Sequence, residues 1–122
     1  MAAIPSGTTD IGTYAFGACN ALRLATLPDS VTNIASSAFV DSGIISMTIP
    51  GSVSSIYAST FQRAYGAAYY DFTSHTDVPV LSATTAFTGI PADCEIRVPA
   101  ALYDEWIAAT NWATYAANIK AY

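Results

Sequence analysis

The chain has 122 residues, 52% hydrophobic and 11% charged, so it is long enough for one domain with a buried core and too apolar for a disordered acidic tail. Its formal net charge is −5, and its four cations are scattered, which argues against nucleic acid or an anionic membrane surface as a partner. No apolar run approaches the length of a membrane span, so membrane insertion is not expected.

One phrase recurs three times between residues 4 and 61. It consists of an apolar residue followed by Pro, then an Ile seven residues and a Phe twelve residues after that apolar residue. The copies start at Ile4, Leu27 and Ile49, which are 23 and then 22 residues apart. This period predicts about two and a half stacked coils and is too short for repeats of two helices.

Each copy predicts the same local structure. Apolar residues alternate just before Pro, as at Ala25 and Leu27, which predicts a short strand that Pro ends because it cannot donate a ladder hydrogen bond. The Ile begins a second short extended segment or turn. The phenylalanines are expected to stack as an inward aromatic ladder, and the extra residue of the first interval falls in a turn after Phe16.

The pattern degrades after Phe61, where residues 62–122 predict an irregular last coil and a C-terminal cap. Short strands are expected near residues 67–72, 78–81 and 95–99. Helices are expected near 100–109 and 112–119, because the apolar spacing changes there to a helical one. An amphipathic element at the end of a repeat array covers its open core.

The repeat is similar to a known one. Leu27 to Ile34, followed by Ala38-Phe39, resembles the BspA-like leucine-rich repeat of bacterial surface proteins and some phage proteins. The ending, with Ala86 to Cys94, Trp106 and Asn111-Trp112, resembles the C-terminal module that often closes such arrays. The resemblance implies a leucine-rich-repeat solenoid of short β-strands and turns over residues 1–61, with a C-terminal helical cap. It implies surface display, adhesion or binding, and no catalytic residues.

No group of residues predicts catalysis, a cofactor or a metal site. Ser74-His75-Thr76-Asp77 brings together residue types of a catalytic triad, but neighbours in sequence seldom reach that geometry, and a polar turn is the better interpretation. A zinc site would need His75, both cysteines and a carboxylate to converge. Cys19 and Cys94 lie far apart along the array and are expected to be small buried thiols without a bridge.

Two tyrosines remain as candidate contact residues. Tyr65 and Tyr69 are predicted to contact a protein partner or a glycan, since an exposed ring can stack on a sugar or anchor a protein. The neighbouring Tyr70 and Phe72 are expected to point inward, and the two tryptophans to form the core of the cap.

The first coil is the other candidate surface. No covering element precedes it, so Ile4, Ile11 and Phe16 are expected to form an assembly edge, covered by upstream residues, a second copy of the chain or another protein.

The expected function is a non-enzymatic protein-interaction or structural module of a bacterial surface or phage virion protein. The alternative is a carbohydrate-binding or adhesion module that uses exposed tyrosines. The expected location is extracellular, on a cell surface or virion, although residues 1–3 show no signal peptide.

Overall fold

The structure, a computed structural model, describes residues 2–122 and consists mainly of short strands and turns. The strands are β1 (Ala2–Ala3), β2 (Asp10–Ile11), β3 (Leu24–Thr26), β4 (Asn33–Ile34), β5 (Ser46–Thr48), β6 (Ser55–Ile56), β7 (Tyr69–Asp71), β8 (Val80–Leu81), β9 (Glu95–Val98) and β10 (Ile119–Ala121). One α-helix, α1, spans Tyr103–Ala108, and 3₁₀ turns span Thr84–Phe87, Ala100–Leu102 and Trp112–Tyr115.

The strands form two parallel sheets. A six-stranded long sheet has the order β1-β3-β5-β7-β9-β10, and a four-stranded short sheet has the order β2-β4-β6-β8. The chain therefore visits the long sheet, then the short sheet, and returns to the long sheet one strand further on. Equivalent residues of successive repeats are direct partners: Ala25 pairs with Met47 and Met47 with Tyr70, so the turns absorb the differences in repeat length.

The predicted strand before each Pro is confirmed. In β3 the residues are exposed, buried and exposed in turn, and the strand ends before Leu27-Pro28. The short sheet is equally regular. Its strands contribute one buried row, which consists of Ile11, Ile34, Ile56 and Leu81. In β3, β5 and β7 the alternation places the middle side chain in the core, which is why the repeat can be identified from the sequence.

The predicted aromatic ladder is also confirmed. Phe16 and Phe39 stack with 5.1 Å between ring centroids, Phe39 and Phe61 with 5.7 Å, and Phe61 and Phe87 with 5.3 Å. The backbone follows the same ladder, because the amide of Phe39 donates to the carbonyl of Thr60 at 2.9 Å. Stacking of large apolar rings and pairing of backbone groups therefore hold neighbouring repeats at the same positions.

The turn after each ladder residue has an unusual backbone. Ala18, Asp41 and Arg63, each two residues after a ladder Phe, have positive φ angles of 56°, 56° and 62°. Their amides donate to the next repeat, as Ala18 does to the carbonyl of Val40 at 2.8 Å. The left-handed conformation thus directs the amide along the stack, although it costs about 1–2 kcal/mol for a residue with a Cβ.

The C-terminal segment differs in part from the sequence prediction. Residues 100–108 are helical as expected, first as a 3₁₀ turn and then as α1. The helix expected over 112–119 is shorter: Trp112–Tyr115 is a 3₁₀ turn, and Ile119 begins β10, which pairs in parallel with β9. Ile119 lies opposite Ile96 in this pair, and both are buried. Among residues 2–122 the structure contains no helix with the length and apolar character that a membrane span requires.

Two tryptophans of this segment are buried, as the sequence predicted, and Trp112 also contacts the repeats. Trp106 and Trp112 are fully buried and contact each other edge to face. The indole Nε1 of Trp112 donates to the carbonyl of Pro79 at 2.7 Å, and the Asn111 amide donates to the carbonyl of Leu81 at 2.6 Å. Both acceptors flank or belong to β8, so the segment satisfies backbone carbonyls at the last strand of the short sheet.

Candidate functional site

The outer surface of the long sheet carries ordered rows of side chains. In β3, β5 and β7 the residues that flank the buried middle position are exposed or half-buried, and the parallel register brings them side by side. We call this surface the long-sheet face; its residues are Leu24, Thr26, Ser46, Thr48, Tyr69, Asp71, Glu95 and Arg97. A shallow cavity of about 300 Å³ lies on it between β3 and β7.

A cluster of aromatic and charged groups in mutual contact occupies the C-terminal part of this face. The guanidinium carbon of Arg97 lies 3.8 Å from the centroid of the Tyr69 ring and 4.8 Å from that of Tyr122. Arg97 Nε also donates to the Glu95 carboxylate at 2.9 Å, and the Tyr122 hydroxyl donates to the same oxygen at 2.5 Å. These contacts hold four side chains in one arrangement before any partner arrives.

The Glu95 carboxylate is stabilised in its ionised form by this cluster. The hydrogen bond from Tyr122 and then that from Arg97 lower the pKa of Glu95 below its ordinary value. The same hydrogen bond to Glu95 raises the pKa of Tyr122. At neutral pH the cluster therefore holds one cation and one anion in contact, both partly exposed to solvent.

The two tyrosines that the sequence singled out lie in different surroundings. Tyr69 is half-buried, lines the cavity of the long-sheet face and contacts Arg97. Tyr65 is 68% exposed and lines a separate groove with Arg23 and Arg63. Tyr70 and Phe72 are fully buried, which confirms their predicted inward orientation.

The predicted assembly edge is divided between surface and core. Ile4 and Phe16 are half-buried and pack against the core, whereas Ile11 is only 4% exposed. The accessible apolar area of this edge therefore comes from Ile4 and Phe16.

The prediction of a polar turn at residues 74–77 needs one correction. Ser74, Thr76 and Asp77 are exposed as expected, but His75 is only 5% exposed and packs against the rings of Phe72 and Trp106. Its Nε2 lies 2.9 Å from the carbonyl oxygen of Val53, and its Nδ1 lies 3.2 Å from that of Phe72. Backbone acceptors and apolar contacts, which a single sequence does not reveal, draw this side chain inward.

Burial makes the His75 imidazole and the Cys94 thiol poor reactive groups. Desolvation lowers the pKa of His75, although its two backbone contacts oppose this shift. Burial raises the pKa of the Cys94 thiol to about 12, so it stays protonated at neutral pH. Cys19 is half-buried, and both cysteines are free thiols. Within residues 2–122, no three His, Cys, Asp or Glu side chains gather closely enough to hold a metal ion.

Sequence reasoning missed the charged partners of the tyrosines. Glu95 and Arg97 stand at alternate positions of β9, so their common face follows from strand periodicity once the strand is assigned. Tyr122 has no such signal, because it reaches Glu95 only after β10 pairs with β9.

Comparison with known proteins identifies the repeat. A family model for the BspA-type leucine-rich repeat region, written for six repeat copies, matches residues 2–80, which is well over half of the chain. No curated protein and no solved structure gave a match.

Proposed function

Since the chain belongs to the BspA-type leucine-rich repeat family, we propose that it is a non-enzymatic protein-interaction or structural module that binds its partner on the long-sheet face. One observation carries this proposal most strongly. The face presents rows of accessible side chains in register, next to the preorganised Tyr69–Arg97 contact. Tyr and Arg are the residue types enriched at the energetic centres of protein interfaces, and a rigid arrangement lowers the entropy lost on binding.

The architecture in this proposal is a solenoid with a C-terminal cap. Support for the solenoid comes from the direct pairing of equivalent residues, as in the row Leu24, Ser46 and Tyr69. Support for the cap comes from Trp112, which is fully buried and bonded to Pro79. A repeat array exposes an apolar end unless another element covers it, and the aromatic residues of the C-terminal segment fit that role.

A charge-insertion experiment tests the binding face. Thr48→Glu places a carboxylate on the long-sheet face, and Val80→Glu makes the same change in net charge at an exposed position of the short sheet. Both variants and the unmodified protein are immobilised, and captured proteins are quantified by mass spectrometry. We expect a partner that the unmodified protein and Val80→Glu retain and Thr48→Glu loses. Equal retention by both variants would place the contact elsewhere.

The proposed setting is a bacterial surface or a phage virion, outside the cytoplasm. It is supported by the sequence resemblance described above and by a surface with few charges, built largely from Ser, Thr and Ala. Antibodies against the chain, applied to intact host cells and to purified particles, test this setting by immunogold electron microscopy. Label confined to the cytoplasm of sectioned cells would reject it.

A second contact is proposed at the edge formed by Ile4 and Phe16. Phe16 stacks on Phe39 and remains half-buried, so apolar area is left for a second copy of the chain or for another protein. Light scattering after size-exclusion chromatography tests self-association at several concentrations. We expect the apparent mass to rise with concentration, and Phe16→Ser to abolish that rise; a constant monomer mass rejects self-association.

Carbohydrate binding is the alternative function, and one observation favours it. The Tyr65 ring is 68% exposed in a groove with both polar and apolar lining residues, where it is free to stack on a sugar.

A further inference from the structure

A groove crosses the turns that follow three successive ladder phenylalanines. It has a volume of about 710 Å³, which is within the range of small-ligand sites. Its walls come from the turns after Phe16, Phe39 and Phe61, near the N-terminal ends of long-sheet strands. Its lining includes Arg23, Asp41, Gly43, Ile45, Arg63 and Tyr65.

The groove holds two of the four cations of an acidic chain, and these two differ in their partners. Arg63 forms a two-pronged ion pair with Asp41, in which Nε contacts Oδ1 and Nη2 lies 2.7 Å from Oδ2. This hydrogen bond lowers the pKa of Asp41, so the carboxylate stays ionised and paired at neutral pH. Within residues 2–122, no carboxylate lies within ion-pair distance of Arg23.

Arg23 is nevertheless held in place. Its Nη1 donates to the carbonyl of Asn20 at 2.5 Å and to that of Gly43 at 3.4 Å. A Cβ on Gly43 would overlap Arg23 Nη1 and the Asn20 carbonyl oxygen, so only glycine permits this approach. The backbone contacts use Nη1, which leaves the Nε and Nη2 hydrogens of a positioned guanidinium for an outside acceptor.

Apolar surface lies in the same groove. Tyr65 is 68% exposed and Ile45 is 43% exposed, and both line it. A flat ring beside an aliphatic side chain offers the surface on which the apolar face of a pyranose can pack. A carboxylate is the acceptor whose two oxygens match a guanidinium edge.

We propose that this groove binds an acidic saccharide, with the carboxylate of a uronic acid residue on Arg23 and its ring on Tyr65. Charge complementarity selects an anion, because Asp41 is already paired and Arg23 contributes a net positive charge. The exposed ring of Tyr65 favours a ligand that contains a sugar ring over a carboxylate that lacks one. This inference does not rest on the long-sheet face, since none of the face residues carries it.

The test compares matched oligosaccharides. Tetragalacturonate and its neutral galactose counterpart are titrated into the protein at low ionic strength, with calorimetry for affinity and amide NMR shifts for location. We expect saturable binding of the acid, with shifts at residues 18–23, 41–45 and 63–66, and about tenfold weaker binding of the neutral oligomer, as expected for loss of a charged hydrogen bond. Added salt should weaken the binding of the acid.

Variants separate a defined site from general attraction. We expect Arg23→Gln and Tyr65→Ala each to weaken binding about tenfold, and Tyr65→Phe to retain it. Lys120→Gln removes one positive charge from an exposed position of β10 and is expected to leave affinity unchanged. Amide spectra confirm that each variant is folded.

Several results would overturn the proposal. Equal affinity for the neutral and acidic oligomers would show that Arg23 does not recognise the carboxylate. Equal losses of affinity in Arg23→Gln and Lys120→Gln would show that binding is only non-specific electrostatic attraction. Equally tight binding of an oligoglutamate peptide would assign the groove to an acidic protein segment instead. Absence of saturable binding would reject the site while leaving the long-sheet-face proposal standing.

Discussion

Phe16 and Phe39 lie face to face, with 5.1 Å between their ring centroids and 7° between their ring planes. The two differ in burial, because Phe39 is fully buried between two rings whereas Phe16 is half-buried with one stacking neighbour in the described ladder. The ladder therefore has an interior and an edge.

The position of a phenylalanine in the ladder determines how much its replacement by alanine lowers the free energy of unfolding. Phe39→Ala should lower the free energy of unfolding by about 3–5 kcal/mol, because it leaves a cavity and removes two stacking contacts. Phe16→Ala should cost roughly half as much, since less apolar area is lost from the core. Urea unfolding followed by circular dichroism measures both. Equal losses would show that the edge ring is as important as the interior one.

The left-handed turn predicts a stabilising substitution. Ala18 has a φ of 56°, so Ala18→Gly removes about 1–2 kcal/mol of backbone strain and adds about 0.5–1 kcal/mol of chain entropy cost. The expected net gain is about 0.5–1 kcal/mol in urea unfolding. Ala21→Gly is the matched control at an exposed position of the following turn and should destabilise the protein. A loss in Ala18→Gly comparable to that control would contradict the strain argument.

The buried imidazole predicts a dependence of stability on pH. Because burial lowers the pKa of His75 in the folded chain, the unfolded chain binds a proton more readily. The contribution of neutral His75 is therefore complete above its ordinary pKa of about 6.5 and is lost as the pH falls below it.

Unfolding midpoints measured between about pH 5 and pH 8 check this expectation, since the ordinary histidine pKa lies in that window. His75 is the one histidine of the chain, so His75→Gln should flatten the curve there. Stability that instead rises on acidification would mean that the carbonyls of Val53 and Phe72 outweigh desolvation and favour the imidazolium.

Replacing each of the two tryptophans by phenylalanine is expected to lower the free energy of unfolding by different amounts. Both indoles are fully buried, but Nε1 of Trp112 donates to Pro79, whereas Nε1 of Trp106 has no hydrogen-bond partner among the described residues. Trp112→Phe should therefore cost about 1–2 kcal/mol more than Trp106→Phe, because it leaves a buried carbonyl unpaired. Thermal and urea unfolding measure the difference. A larger cost for Trp106→Phe would show that packing outweighs the hydrogen bond.

Local sequence was sufficient to predict the repeating part of the fold. The alternation before Pro28 and Pro50 and the spacing of the phenylalanines in all three copies are local, so a strand and an inward ring can be assigned without knowing the neighbours. The same spacing determines which residues stack, because equivalent positions of successive repeats come to lie side by side. Even the extra residue of the first interval was located in a turn, where it leaves the pairing of Ala25 with Met47 intact.

The C-terminal segment shows where local pattern is insufficient. Trp112, Tyr115 and Ile119 have a spacing that suits a helix, yet Ile119 lies in β10. The deciding interaction is pairing with β9, a strand more than twenty residues earlier. Periodicity reports which side chains are buried, but it does not distinguish a helix from a turn followed by a strand when the apolar residues are this few.

The candidate sites depended on tertiary structure even more than the C-terminal segment did, and they could not be assembled from the sequence alone. The sequence by itself selected Tyr65 and Tyr69 as aromatic contacts, but only the fold placed Tyr65 in one groove with Arg23 and Tyr69 beneath Arg97. Each of these neighbours belongs to a different repeat or strand. The sequence therefore determined what every repeat contributes to the core, since that information is local. Tertiary structure decided what the surface offers, because its groups meet only when separate turns stack.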